Sequence, residues 1–282
     1  MKAVSKASAV GIVVGFEPKI TSARIAEAFE TAFIDFRNEL KSYVYRLVTN
    51  KQDMEEIVQD TYIKATANLD SFEGRSSLKT WAFSIATNLA KDLLRKQSRW
   101  GVDYQDNCRT ATYQSQQIQQ EMFAISQQSP QGKYVIKEHI DYCFTCMSKT
   151  LTVEEQACMI LKEVYGFKVK EIIEISGLSE GKVKHALADS RKRMLDIFEN
   201  RCSLINKTGA CHQCTELNGM FNPKQDAAAE LAKIKMVKES TKANHEALYE
   251  LRIQLVQGID LLGGEGFDFH NYMLENLPSH SN

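Results

Sequence analysis

Residues 168–195 read KVKEIIEISGLSEGKVKHALADSRKRML. Val169, Ile172, Ile173 and Ile175 put an apolar face on a short helix that stops at Ser176-Gly177. Leu178 anchors the turn, and Ser179 stands where a helix N-cap belongs, its hydroxyl free to accept from the next turn's amides. A second helix runs from Glu180 with Val183, Ala186, Leu187 and Met194 inward. Helix, glycine-containing turn and helix make the helix-turn-helix pattern. Its outer face carries Lys182, Lys184, His185, Arg191, Lys192 and Arg193. Over 180–195 that is five Lys/Arg against Glu180 and Asp189 in a chain whose formal net charge is −1. Phosphate neutralisation needs such a cluster, and a helix N-terminus in a major groove brings residues 181–185 to base edges. The bland alternative is a solvated amphipathic helix pair.

Upstream, the helical signal persists. No proline and one glycine, Gly74, occur between Lys19 and Gly101, which permits long helices. Ile57, Val58, Tyr62, Ile63 and Ala65 form one apolar stripe, and Trp81, Ile85, Ala86 and Leu89 another. Beside the first stripe, Glu55, Glu56, Gln59 and Asp60 make an acidic face suited to a basic protein partner. Phe72-Glu73-Gly74-Arg75-Ser76-Ser77 is a glycine-containing loop, and Asn88–Trp100 holds Lys91, Arg95, Lys96 and Arg99 against Asp92. Loop and basic helix suit nucleic acid; Trp81 and Phe83 are expected in the core, the alternative being base stacking.

The remaining segments frame these two. A chain of 282 residues suggests about two domains. Nine glutamines fall within 101–132, which ends in Pro130 and Gly132, so this stretch is expected to be a flexible linker. Helical periodicity resumes over 135–198, a cysteine-bearing loop spans 202–223, and a final helical stretch is expected over 225–262. The expected organisation is an irregular leader (1–20), a helical module (21–100), the linker (101–134), a helix-turn-helix module (135–200) and a helical extension (201–282). The fold class is all-α. Lys2 and Lys6 precede the apolar run 9–16, but no cleavage site follows. With that run of eight residues the longest, no membrane insertion is expected, and the cytoplasm is the expected location.

The order Glu56-Ile57-Val58-Gln59-Asp60-Thr61-Tyr62, Phe72-Glu73-Gly74 and Leu78-Lys79-Thr80-Trp81-Ala82-Phe83-Ser84-Ile85-Ala86-Thr87-Asn88 closely resembles region two of bacterial RNA polymerase sigma factors of the extracytoplasmic-function class. Leu151-Thr152 through Leu195, with Tyr165-Gly166, Glu171-Ile172 and Leu178–Lys184, resembles their region four. The resemblance covers about residues 28–100 and 135–198. It implies a factor that binds core RNA polymerase and directs promoter recognition, DNA melting and transcription initiation. Glu55, Glu56, Gln59 and Asp60 would dock on the polymerase clamp. Phe72, Gly74, Arg75, Ser76 and Lys79 would capture a flipped base of the −10 element, at a cost of a few kcal/mol of unstacking. Asn88, Lys91 and Arg95 would line the melting and backbone-contact surface. Ser179, Lys182, Lys184, His185, Arg191 and Lys192 would read the −35 element. Lys182 and residues 185–189 depart from the family's usual pattern. An anti-sigma factor or an autoinhibitory extension is a further expected partner.

Cys202, Cys211, His212 and Cys214 lie within thirteen residues, and Cys143-x-x-Cys146 lies upstream. Three readings stay open: a zinc site completed by Cys143 or Cys146, a thiol switch, or buried structural cysteines. No cofactor is implied. No Walker loop, nucleotide-binding GxGxxG or HExxH occurs, and Gly263-Gly264-Glu265-Gly266 is a lone glycine loop, so no enzyme is expected. The competing readings are a stand-alone helix-turn-helix regulator with a sensing tail, and a metal-sensing interaction protein.

Overall fold

The computed structural model describes residues 22–276, so the expected leader lies outside the described residues. The first module is three helices: α1 (Ser22–Val48), α2 (Lys51–Ala67) and α3 (Leu78–Leu94). Asn50 and Ser77 start α2 and α3 by accepting from the amides of Asp53 and Thr80. Phe29, Phe33, Phe36, Tyr43 and Phe83 interlock as an aromatic core, so Phe83 is the core residue expected. Trp81 is half-buried against Phe29 and Phe72.

Residues 101–134 are not a loose connection. They form α4 (Tyr104–Gln114) and α5 (Gln116–Gln128), which corrects the flexible-linker expectation. The apolar residues are few, but Tyr104, Cys108 and Thr112 recur every four positions on one buried stripe, and Met122 is fully buried. Tyr104 stacks on Trp100 with centroids 3.9 Å apart. The exposed positions hold most of the glutamines, and these masked the pattern.

The second module comprises α6 (Ile136–Ser148), α7 (Val153–Met159) running into one π-helical turn (Ile160–Val164), α8 (Val169–Ser176) and α9 (Glu180–Arg201). Gly177 takes a left-handed φ of 69° at the α8 C-cap, and the Ser179 hydroxyl accepts from Lys182 N, as the turn reading requires.

Beyond it, the expected single helix over 225–262 is three: α11 (Ala227–Leu231), α12 (Lys235–Glu239) and α13 (His245–Gln257), preceded by α10 (Gln213–Phe221). Asp226 and Asn244 accept from downstream amides and start new helices, and Ile234 is extended, so the chain turns where periodicity alone reads continuous. A last helix, α14 (Phe267–Asn276), follows the glycine loop. In that loop the amides of Glu265 and Gly266 donate to the Glu138 carboxylate at 3.0 and 2.6 Å. A Cβ at Gly264 or Gly266 would come within 3 Å of that carboxylate, so glycine here serves close packing.

The modules are packed together. α3 lies against α7 and α8, α13 against α6 and α9, and α14 against α5 and α6. Arg46 of α1 donates to Asp141 of α6 at 2.8 Å, both side chains 1% exposed, and also to Thr145. Lys149 donates to Leu47 O, Val48 O and Thr49 Oγ1, closing the C-terminus of α1; burial lowers its pKa to about 7. Tyr45 of α1 donates to Asn271 of α14, so the extension reaches the first module too. Among the described residues no helix is long and apolar enough to cross a membrane.

Candidate protein and nucleic-acid interfaces

On α2, inward Met54, Ile57, Val58 and Thr61 turn Glu55, Glu56, Gln59 and Asp60 to solvent. Glu55 is held by Lys41 at 2.6 Å, and Gln52 donates to Glu56. Beside this face, α1 and α2 enclose a groove of about 600 Å³ lined by Phe33, Ile34, Val58 and Tyr62, with Arg37 and Gln59 on its rim. Ile34 is 74% exposed. An acidic face bordering an apolar groove can take a protein partner that offers cations around an apolar anchor. The sequence reading found the acidic residues and missed Ile34 and the groove, whose far wall is α1.

The loop before α3 keeps its expected form. Gly74 adopts φ 67°, Glu73 pairs with exposed Arg75 at 2.8 Å, and Phe72 rests half-buried on Trp81 with ring centroids 5.1 Å apart. Ser76 is half-buried. Asn88 is exposed on α3, and so is Arg95 just past its end, which is bonded to Asp92. Lys79 and Lys91 differ from the open surface expected. Lys79 pairs with Glu39 at 2.6 Å and lies over the rings of Phe83 and Phe167, the latter from the second module. Lys91, its side chain 12% exposed, reaches Ser176 O and Glu154. Arg99, also turned inward, donates to Leu151 O and Gln156 Oε1 at 2.5 Å each. Lys79, Lys91 and Arg99 are therefore engaged by neighbouring groups, Lys91 and Arg99 by the segment 151–176, whereas Arg95 and Lys96 stay exposed.

On α9, Lys182, Lys184, His185 and Lys192 are exposed, as is the Ser179 cap. Lys184 pairs with Glu180 at 2.7 Å one turn back. Arg191 is a correction: it does not stand on the open face. Its guanidinium is gripped by Glu163, Glu246 and Glu250 at 3.6, 3.0 and 2.5 Å and lies 4.9 Å from the Tyr249 ring centroid. Burial opposes its charge, but the carboxylates outweigh this and push its pKa up. Tyr249, Glu246 and Glu250 all come from α13, which sequence spacing could not connect to α9.

The cysteines separate. Cys146, deeply buried, faces Tyr142 and Cys108, whereas Cys143 faces the tail, along with Cys202, Cys211 and Cys214. Burial raises the thiol pKa of Cys143, of Cys214, and of Cys211 to about 12. Among the described residues no three Cys, His, Asp or Glu side chains are grouped closely enough to hold a metal ion as they stand.

The Sigma-70 region 2 model matches residues 33–99, and the Sigma-70 region 4 model matches residues 142–194. These are the two modules that carry the acidic face and the helix-turn-helix. The chain is 28% identical to the ECF RNA polymerase sigma factor SigX of Bacillus subtilis over 183 residues, 64% of this chain and 87% of that protein. It is 26% identical to the ECF RNA polymerase sigma-E factor of Escherichia coli K12 over 170 residues, 59% of this chain and 84% of that one. A solved sigma factor RpoE, in complex with the anti-sigma factor NepR from Bartonella quintana, aligns over 61% of this chain and 98% of its own at 24% identity and TM-score 0.42. Both sigma-70 modules are thus present here in the family's order, and the relatives that the chain resembles are RNA polymerase sigma factors of the extracytoplasmic-function class.

Proposed function

We propose that this chain is a cytoplasmic, non-catalytic initiation factor that docks on core RNA polymerase through α2, opens the −10 element with the loop 72–79 and α3, and reads the −35 element with α9. The observation that carries the reading is the pairing of two differently charged surfaces on two family modules. One is the acidic α2 face with its apolar groove. The other is the exposed Lys182, Lys184, His185 and Lys192 at a capped helix N-terminus. A stand-alone regulator would need only the second. Docking on polymerase uses Glu55, Glu56, Gln59 and Asp60 as the charged rim, with Ile34 as the apolar contact. Phe72, Gly74, Arg75 and Ser76 form the base pocket; Lys79, Asn88, Lys91 and Arg95 follow the backbone.

A second element of the reading concerns regulation. Lys91 cannot reach a phosphate while it bonds to Ser176 and Glu154, and Arg191 cannot while three carboxylates hold it. The packed arrangement is thus the resting form, with the extension beyond residue 201 acting as an internal brake that an anti-sigma factor would otherwise supply. Transcription in vitro from genomic fragments, with purified core polymerase and with or without this chain, tests the function. Transcripts that require both components support it. Duplex binding by the chain alone, without polymerase-dependent transcripts, would replace it with the stand-alone regulator. Deleting 201–282 and repeating the assay tests the brake: more transcript supports it, and unchanged transcript from a folded truncation rejects it.

A further inference from the structure

Four of the seven cysteines come from four different elements onto one small cavity of about 20 Å³. Cys143 comes from α6, Cys202 from the C-cap of α9, Cys211 from the following loop and Cys214 from the first turn of α10. The loop is built to bring them close. Cys202 and Cys211 form an isolated parallel bridge, in which Cys211 N donates to Arg201 O at 2.8 Å and Ser203 N to Cys211 O at 3.2 Å. A Cβ at Gly209 would sit 2.7 Å from Arg201 O, so the turn needs glycine to close.

Arg252 supplies an independent sign of what the cavity holds. It is 1% exposed, lies 3.8 Å from the Phe198 ring centroid, and makes no ion pair with a carboxylate among the described residues. Its contacts are sulfur: it donates to Cys202 Sγ at 3.3 Å, and it and the Gln105 amide also face the Cys143 sulfur. The Nε of Arg252, the Nε of Arg201 and Nδ1 of His139 are buried without partners, and all three residues line this cavity. A buried cation without a counter-ion is destabilising, and neutral thiols do little to offset it. Four thiolates around a divalent ion carry a net charge of −2 and accept N–H donors at sulfur, which answers both observations. A cavity of this size has room for an ion and none for an organic ligand.

We propose that Cys143, Cys202, Cys211 and Cys214 are the ligands of a tetrahedral zinc site, with Arg252 as the positioning donor to its sulfurs. Among the described residues the thiols are not grouped closely enough to hold an ion, so ligation requires them to close to Zn–S distances of about 2.3 Å. Each thiol gives its proton to the buffer as its S–Zn bond forms. The spacing Cys211-x2-Cys214 is that of a zinc knuckle, and Cys143 rather than Cys146 completes the set. The site would lock α10 and the end of α9 onto α6. The inference is independent of the sigma-factor reading, since metal content and transcription are measured separately.

The test uses the full chain, purified under reducing conditions from zinc-supplemented cells, with zinc counted by elemental analysis and then replaced by Co(II). One zinc per chain and the d–d and sulfur-to-metal bands of a tetrahedral tetrathiolate Co(II) centre are expected. Cys143→Ser and Cys214→Ser should each abolish the tetrathiolate spectrum, while Cys108→Ser and Cys146→Ser keep it. Arg252→Met should weaken Co(II) affinity about 10- to 100-fold with the spectrum retained. Because the parent protein carries the main readout, poor folding of a variant does not blunt the test. A parent chain with neither zinc nor the Co(II) bands would overturn the proposal. So would a mass lower by two hydrogens with Cys202 linked to Cys211 in the metal-free chain, or a tetrathiolate spectrum surviving in Cys143→Ser.

Discussion

The outer faces of α2 and α9 are both charged surfaces on capped helices, yet they stand differently toward the rest of the molecule. The acidic residues of α2 and the groove beside them face solvent; among the described residues Glu55 is reached from another element, by Lys41 of the neighbouring α1. The basic face of α9 is divided: Lys182, Lys184, His185 and Lys192 are open, but Arg191 is clasped by α13 and Glu163. The basic face of α3 is divided in the same way, with Asn88 exposed and Lys91 held by α7–α8. Under the proposed function this difference predicts an order of events: polymerase is met first, on α2, and the DNA surface is completed only after the modules separate.

The sharpest way to break this comparison is at the junction that holds the modules together. Asp141→Ala leaves Arg46 buried without its partner and should cost about 3–5 kcal/mol in urea unfolding. A loss under about 1 kcal/mol would mean the junction is not what closes the molecule. Acid should loosen the same region. Burial lowers the pKa of His270 to about 3, and burial followed by its neighbour His270 lowers that of His139. Both folded pKa values lie below the unfolded one, so the unfolded chain binds more protons below about pH 6.5, down to about pH 3 for His270. Stability is present above about pH 6.5 and falls as pH drops through that window, by up to roughly 1.4 kcal/mol per pH unit for each group. His270→Phe should flatten that slope in a pH series of denaturation midpoints.

At the open face, Glu56→Lys with Asp60→Lys should weaken core polymerase binding by about tenfold or more at low salt. Titration of labelled chain with polymerase reads this, and unchanged affinity would remove α2 as the docking face. At the covered face, Glu246→Gln with Glu250→Gln leaves Arg191 with Glu163 alone and should raise promoter affinity of the holoenzyme roughly three- to tenfold, since partly exposed ion pairs are each worth little. The smallest expected effect is Lys192→Ala, which should lower the slope of log K against log salt by about one while affinity falls modestly on every sequence.

The helix-turn-helix was legible because its punctuation is local: Gly177 takes the left-handed conformation and Ser179 caps α9 with residues a few positions away. The form of the loop before α3 was legible for the same reason, with Gly74 in the left-handed region and Ser77 capping α3. Arg191 was misplaced because its partners lie 55 and 59 residues downstream on α13. The glutamine-rich segment was misread because its helices are stabilised by tertiary contacts, such as the bidentate Arg109–Glu216 pair to α10, that composition does not reveal. The cysteines gave their spacing but not their grouping. Which member of Cys143-x-x-Cys146 faces the tail depends on how α6 is rolled against α10 and α13.

The central claim, a sigma factor whose modules are closed at rest and separate on polymerase, is tested most directly by one distance. Fluorophores placed through unnatural residues at the exposed positions Ala67 and Ala188 report the separation of the two modules without using the native thiols. A large drop in energy transfer on adding core polymerase, in a complex that transcribes, is the predicted result. Unchanged transfer in a transcribing complex would contradict it.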